Sequence, residues 1–153
     1  MDGVSDIYHV PMAIRFHGVL DQVAWKKALD ALFARHEALR TIFVSVNGQP
    51  KVQLLPADSE LPLLFHDLRD DHDKEATAKQ LASLDAITHF DLEKGPLVRA
   101  QLIQLAQDEY IFLMTHHHII TDGWSLGVQF RDLNELYEAF SVGQSDPLAP
   151  LAI

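Results

Sequence analysis

The sequence predicts an α/β chain, a two-layer sandwich in which helices pack on a mixed, largely antiparallel sheet. Three observations predict it. Short runs of β-prone residues alternate apolar and polar with a period of two; turn dipeptides link neighbouring runs; and three longer stretches repeat apolar residues at helical spacing. Alternation alone leaves the strand order open.

The first strand spans Tyr8 to Phe16, with Val10, Met12, Ile14 and Phe16 on one face. Asp21 is placed to cap a helix, Leu20 and Trp25 to staple its entry, and Trp25, Leu29, Leu32, Phe33 and Leu39 carry that helix from about Gln22 to Leu39. Thr41 to Val46 and Lys51 to Leu55 flank Asn47-Gly48, a dipeptide suited to a tight hairpin turn, so the two runs are expected to pair. Pro56 to Pro62 reads as a loop, Leu63 to His66 as a short strand, and Arg69 to Asp73 as a charged, solvated link. Lys74 to Phe90 is helix-forming, with Ala78, Leu81, Leu84, Ala86 and Ile87 as its apolar face, before Gly95-Pro96 ends the section. Leu97 to Leu105 and Tyr110 to Ile120 make a second antiparallel hairpin around Gln107-Asp108-Glu109. Leu126, Phe130, Leu133, Tyr137 and Phe140 mark a last amphipathic helix ending near Gly143. Residues 144–153, with Pro147 and Pro150, read as an exit linker.

With 153 residues, 48% of them hydrophobic, the chain holds enough apolar surface for one packed core. Its 22 acidic residues outnumber 12 basic ones, and a formal charge of -10 is the wrong sign for neutralising phosphates. Nucleic acid is therefore not expected as a partner. The absence of cysteine excludes a disulfide framework and a thiolate metal site, and fits a reducing, cytoplasmic setting. Met1 to Asp6 lacks the basic and apolar regions of a leader, and no apolar run is long enough to span a bilayer, so a soluble protein with no membrane partner is expected.

The chemistry concentrates in Met114-Thr115-His116-His117-His118-Ile119-Ile120-Thr121-Asp122-Gly123-Trp124-Ser125, where a strand delivers imidazoles to a turn ahead of a helix. A neutral imidazole at such a junction can accept a proton from an attacking amine or hydroxyl, its unperturbed pKa of about 6.5 lying near working pH. If the chain stays extended through the triplet, His116 and His118 face one side and His117 the other. Three imidazoles so divided do not converge on one ion, and no helical His-Glu-x-x-His is present, which weighs against a metal site. Each residue also has an ordinary structural explanation: histidines satisfied by hydrogen bonds under a sheet, Asp122 as an N-cap, Gly123 as a turn, Trp124 as core. Only their combination is unusual.

Together, His117-His118-Ile119-Ile120-Thr121-Asp122-Gly123-Trp124-Ser125 resembles the His-His-x-x-x-Asp-Gly signature of nonribosomal peptide synthetase condensation domains. Arg35-His36-Glu37-Ala38-Leu39-Arg40-Thr41-Ile42-Phe43 is similar to a second motif of that family, and Phe90-Asp91-Leu92 with Gly95-Pro96-Leu97 and Arg99-Ala100 to the segment leading into its active-site hairpin. The resemblance runs from about Tyr8 to Pro150. It implies a chloramphenicol-acetyltransferase-like half-domain, whose partner lobe completes a V and a tunnel for carrier-bound substrates.

In that likeness His118 is the residue assigned to catalysis, as base toward the acceptor amine or as the group that orients it, and the backbone N–H of Gly123 lies near the tetrahedral intermediate. His117, Asp122, Arg40 and Trp124 are expected to support the site, Asp122 through an ion pair with Arg40 and Trp124 by packing. Arg35, His36 and Glu37 read as a solvated helix end. No cofactor is expected to bind directly; substrates would arrive on phosphopantetheine arms. The implied partners are donor and acceptor peptidyl carrier domains, the second lobe and a neighbouring adenylation domain.

The family's first motif, expected before Tyr8, and its later motifs are missing, so residues 1–153 read as a truncated amino-terminal lobe that folds without condensing substrates by itself. Epimerization domains share the histidine motif, but the Asp-Gly-Trp-Ser ending favours peptide-bond formation. A heterocyclization domain would carry aspartates at His117 and His118. A lobe that only docks a carrier would not need His118, and a free-standing acetyltransferase using coenzyme A would share the fold.

Overall fold

A computed structural model describes residues 9–117 and 123–148. In chain order the elements are β1 (His9–His17), α1 (Gln22–Arg35), a 3₁₀ turn (Glu37–Arg40), β2 (Thr41–Val46), β3 (Gln49–Leu54), β4 (Leu63–Asp67), α2 (Lys74–Ile87), β5 (Val98–Ala106), β6 (Glu109–His117) and α3 (Gly123–Ser141). They fall into two units. One contains β1, β4, α2, β5 and β6; the other contains α1, the 3₁₀ turn, β2, β3, residues 91–97 and α3.

In the first unit the strands lie in the order β1-β6-β5-β4. β1 and β5 both run antiparallel to β6, while β4 runs parallel to β5, which gives the mixed, largely antiparallel sheet that the sequence predicts. The register sets Met12 opposite Met114 and Arg99 opposite Thr115. On β1 the expected alternation holds, Met12, Ile14 and Phe16 being half-buried and Ala13, Arg15 and His17 exposed. On β5 and β6 both faces are largely buried, and Gln101, Gln104, Thr115, His116 and His117 are buried along with the apolar residues.

α2 starts at Asp73, whose carboxylate accepts from the Ala76 N–H at 3.3 Å. Ala78 is buried with Ile103, Leu105 and Leu68, and Leu81 and Ile111 pack against them. Each large aliphatic side chain so buried contributes about 1.5–3 kcal/mol. The apolar face expected of this helix is corrected here. Leu84 and Ile87 are 59% and 66% exposed, whereas Asp85 points inward at 5%. Ala78, Leu81 and Asp85 share one face at helical spacing, and the helix turns this face to the sheet because the Asp85 carboxylate finds donors there. The helix also ends at Ile87, short of Phe90, with Thr88 extended.

The second unit is built on the packing of α1 against α3. The Asp21 side chain caps α1 by accepting from Ala24 N–H at 3.0 Å, as expected. Trp25, Ala28, Leu29, Leu32 and Phe33 on α1 are buried, as are Leu133, Leu136 and Ala139 on α3. The Trp25 and Tyr137 rings meet edge-on at 5.4 Å, and the Tyr137 hydroxyl accepts from Asp21 N–H at 3.0 Å. α1 stops at Arg35 rather than Leu39: His36 is extended, and the 3₁₀ turn then buries Leu39. β2 and β3 form the predicted hairpin, Asn47 and Gly48 both taking positive φ, 54° and 79°. A two-residue turn with that backbone matches the twist of the strands it joins.

Candidate active site

The imidazole-bearing strand β6 ends at His117, and α3 begins at Gly123. His118 and Asp122, the expected catalytic imidazole and its bracing carboxylate, lie outside the described residues. Gly123 and Trp124 are the first two residues of α3.

His116 and His117 are 0% and 3% exposed and, as neighbours on one strand, face opposite sides of the sheet. Burying an imidazole needs specific surroundings. The His117 ring meets Phe90 edge-on, centroids 6.0 Å apart at 71°. Arg99 lies over the same Phe90 ring, its guanidinium carbon 4.0 Å from the centroid. Arg99 in turn donates from Nε to Asp85 Oδ1 at 2.7 Å, and its terminal nitrogens reach the backbone carbonyls of Asp85, Thr88 and His89, where α2 ends. A cation is favoured at that end of a helix, where carbonyls lack intrahelical donors.

Asp85 completes its own set on the sheet. Gln101 Nε2 donates to Oδ1 at 3.1 Å, and the Thr115 hydroxyl donates to Oδ2. His66 Nε2 lies 2.9 Å from Gln101 Oε1. Because Gln101 donates through its amide nitrogen, its oxygen is the acceptor toward His66, so His66 Nε2 carries the hydrogen. The result is a buried carboxylate held by three side chains from β5 and β6, on the sheet face that carries Thr115 and His117.

A second buried carboxylate overturns the solvated reading of Arg35 and His36. Arg35 Nε and His36 Nε2 both reach Asp132 Oδ2, at 3.1 and 2.8 Å, and the three side chains are 16%, 13% and 5% exposed. This joins the C-terminal end of α1 to α3. Glu37 remains exposed, as expected. Arg40 donates from one terminal nitrogen to the Leu55 carbonyl at 2.9 Å, and its Nε is buried without a hydrogen-bond partner among the described residues. The expected pairing of Arg40 with Asp122 falls outside the described residues.

Sequence reasoning missed the roles of Asp85, Thr115 and Asp132, and took Arg99 only as part of a motif. A signal existed for Asp85, an acidic residue in phase with Ala78 and Leu81 on one helix face. On the surface, Asp67 is held down to about 2 by Arg69, whose side chain and then backbone N–H donate to its carboxylate. Among the described residues no group of three or more His, Asp or Glu is placed to hold a metal, and no helix is long and apolar enough to cross a membrane.

Known proteins resemble the chain over nearly all of its length. It is 57% identical over 153 residues to malpibaldin synthetase of Mortierella alpina, covering 100% of this chain and 3% of that protein. It is 40% identical over 156 aligned residues to the dimodular nonribosomal peptide synthase of Bacillus subtilis (strain 168), covering 100% of this chain and 6% of that one. Among solved structures, the starter condensation domain of rhizomide synthetase RzmA superposes with a TM-score of 0.87 at 20% identity, over 95% of this chain and 35% of that one. The first condensation domain of the calcium-dependent antibiotic synthetase, in complex with a substrate analogue, gives 0.86 at 26% identity, over 97% of this chain and 36% of that one. The chain thus spans 3% and 6% of these two curated relatives and about a third of these solved condensation domains. The family described as Condensation domain matches residues 1–152, and the chain belongs to that family.

Proposed function

We propose that this chain is the amino-terminal lobe of a nonribosomal peptide synthetase condensation domain, which joins a carrier-bound donor acyl or peptidyl thioester to the amine of a carrier-bound acceptor aminoacyl thioester. The observation that carries the reading is the family match over residues 1–152, with His117 on β6 and Gly123 at the start of α3. His118 orients the acceptor amine and takes its proton as nitrogen attacks the thioester carbonyl. The backbone N–H of Gly123 donates to the oxyanion of the tetrahedral intermediate. Collapse breaks the carbon–sulfur bond, and the departing thiolate takes the proton from His118.

His117 and Trp124 support the loop by packing. Arg40 pairs with Asp122 to hold the loop, as the family likeness implies. Substrates come on phosphopantetheine arms of donor and acceptor peptidyl carrier domains, in the cytoplasm. Residues 144–153 lead to the second lobe, and an adenylation domain lies nearby in the same assembly; epimerization and docking without chemistry are the outcomes this reading excludes.

The test replaces His118 with Ala in the synthetase that carries this sequence and follows dipeptidyl-thioester formation. A fall of about 100-fold or more is expected for loss of a positioned acid–base group. Unchanged turnover would leave only a carrier-docking role.

A further inference from the structure

We infer that Asp85, Arg99 and Thr115 are positioning residues for His117, acting through the Phe90 ring and the β6 backbone. The structural part stands on contacts within one unit; its catalytic consequence rests on the function proposed above.

His117 lies on β6, buried at 3% exposure and paired across the sheet with His9. Thr115 lies two residues earlier on the same face, and its hydroxyl is tied to Asp85 Oδ2. Asp85 is itself held by Arg99 and Gln101, so β6 is pinned two residues before His117. Arg99 makes the second connection. Its guanidinium binds the Asp85 carboxylate and the Asp85, Thr88 and His89 carbonyls, and presents its face to Phe90 at 4.0 Å. Phe90 then meets the His117 ring edge-on at 6.0 Å. A planar fork with several fixed donors can hold carbonyls, carboxylate and ring at once, which an ammonium cannot.

An ion pair placed only for stability would not need to reach both the strand residue before the imidazole and the ring against it. Buried pairs of this kind are also weak sources of net stability, since desolvation offsets their attraction. The geometry fixed here is that of Thr115 and His117 on β6.

The experiment compares Arg99→Met, Arg99→Lys, Thr115→Val and Phe90→Leu in the 153-residue chain, with the exposed Arg69→Gln as control. The readout is the set of His117 ring-proton resonances, assigned with His117→Gln and recorded well below each variant's Tm. Arg99→Met and Thr115→Val are expected to move those resonances, Arg99→Lys to move them less, and Arg69→Gln to leave them in place. If Arg99→Met does not fold, Thr115→Val carries the test, because it removes no charge. Superimposable His117 resonances in every folded Arg99 and Thr115 variant would overturn the inference, since Phe90→Leu moves them by loss of ring current alone.

In the synthetase, the same variants are expected to lower kcat about tenfold or more with KM within about twofold, because small misplacements of a reacting group cost rate rather than binding. The two readings fail separately. Fully active His118→Ala sinks the proposed reaction and leaves the resonance test standing, while inactive His118→Ala with unmoved His117 resonances sinks the positioning role alone.

Discussion

Replacing Gly95 with Ala is expected to be among the more damaging single-methyl additions in this chain. Gly95 has φ +57°, and a Cβ built there runs into Cγ2 of Ile42, with Leu55 Cδ1 at 3.5 Å and the Leu97 nitrogen at 3.7 Å. Ile42 is 4% exposed and sits in β2, next to Phe43, whose N–H donates to the Leu92 carbonyl at 2.8 Å. The neighbour that must give way is therefore tied by backbone to the same turn. A side chain at left-handed φ costs about 1–2 kcal/mol, and forcing an extra methyl into a packed site costs about 1–3 more. Together they predict a loss of about 2–5 kcal/mol. Gly48 supplies the internal comparison, with φ +79° and nothing within 4 Å of a built Cβ, so Gly48→Ala bears only the backbone cost. Urea unfolding should show a lower midpoint for both, with an unchanged slope, and a larger fall for Gly95→Ala. Combining Gly95→Ala with Ile42→Leu, which lacks the β-branch, should recover part of the steric cost. Equal losses at the two glycines would refute the reasoning.

Two further outcomes follow from the buried and exposed carboxylates. Asp132→Ala should cost about 2–4 kcal/mol in urea unfolding, discounted from a fully buried pair because Arg35 and His36 keep some exposure; Glu37→Ala, on the exposed side of the same segment, should change stability by only about 0.5 kcal/mol or less. The Asp67 carboxyl should titrate near 2 by NMR, and Arg69→Gln should return it toward 3.8. Because its folded value is depressed, the pair's contribution is present above the ordinary carboxylate value and disappears as pH falls through about 2, so wild type and Arg69→Gln should converge in stability at the acid end. An Asp67 titration near 3.8 in the wild-type chain contradicts this.

Much of the local structure was legible because its causes lie within a few residues. Met12, Ile14 and Phe16 alternate with exposed neighbours, Asn47-Gly48 takes the two positive φ values its hairpin needs, and Asp21 caps α1 with its own carboxylate. Of the His-His motif, His117 lies on β6 and Gly123 starts α3, while His118 and Asp122 lie outside the described residues. α1 was predicted too long because Leu39 continues the helical apolar spacing; the chain leaves the helix at His36, which bonds Asp132, and buries Leu39 from a 3₁₀ turn instead.

By itself the sequence determined the fold class, the succession of most elements and the strand that carries His116 and His117, since periodicity, caps and turns are set by neighbours along the chain. Only the tertiary structure decided the parallel pairing of β4 with β5, the rotation of α2 that buries Asp85 and exposes Leu84, and the partners of Asp132. Thr115 reaches Asp85 across 30 positions, and Arg35 reaches Asp132 across 97. A buried charge takes its orientation from whichever distant donor the fold brings within hydrogen-bond reach, and no local pattern encodes that meeting.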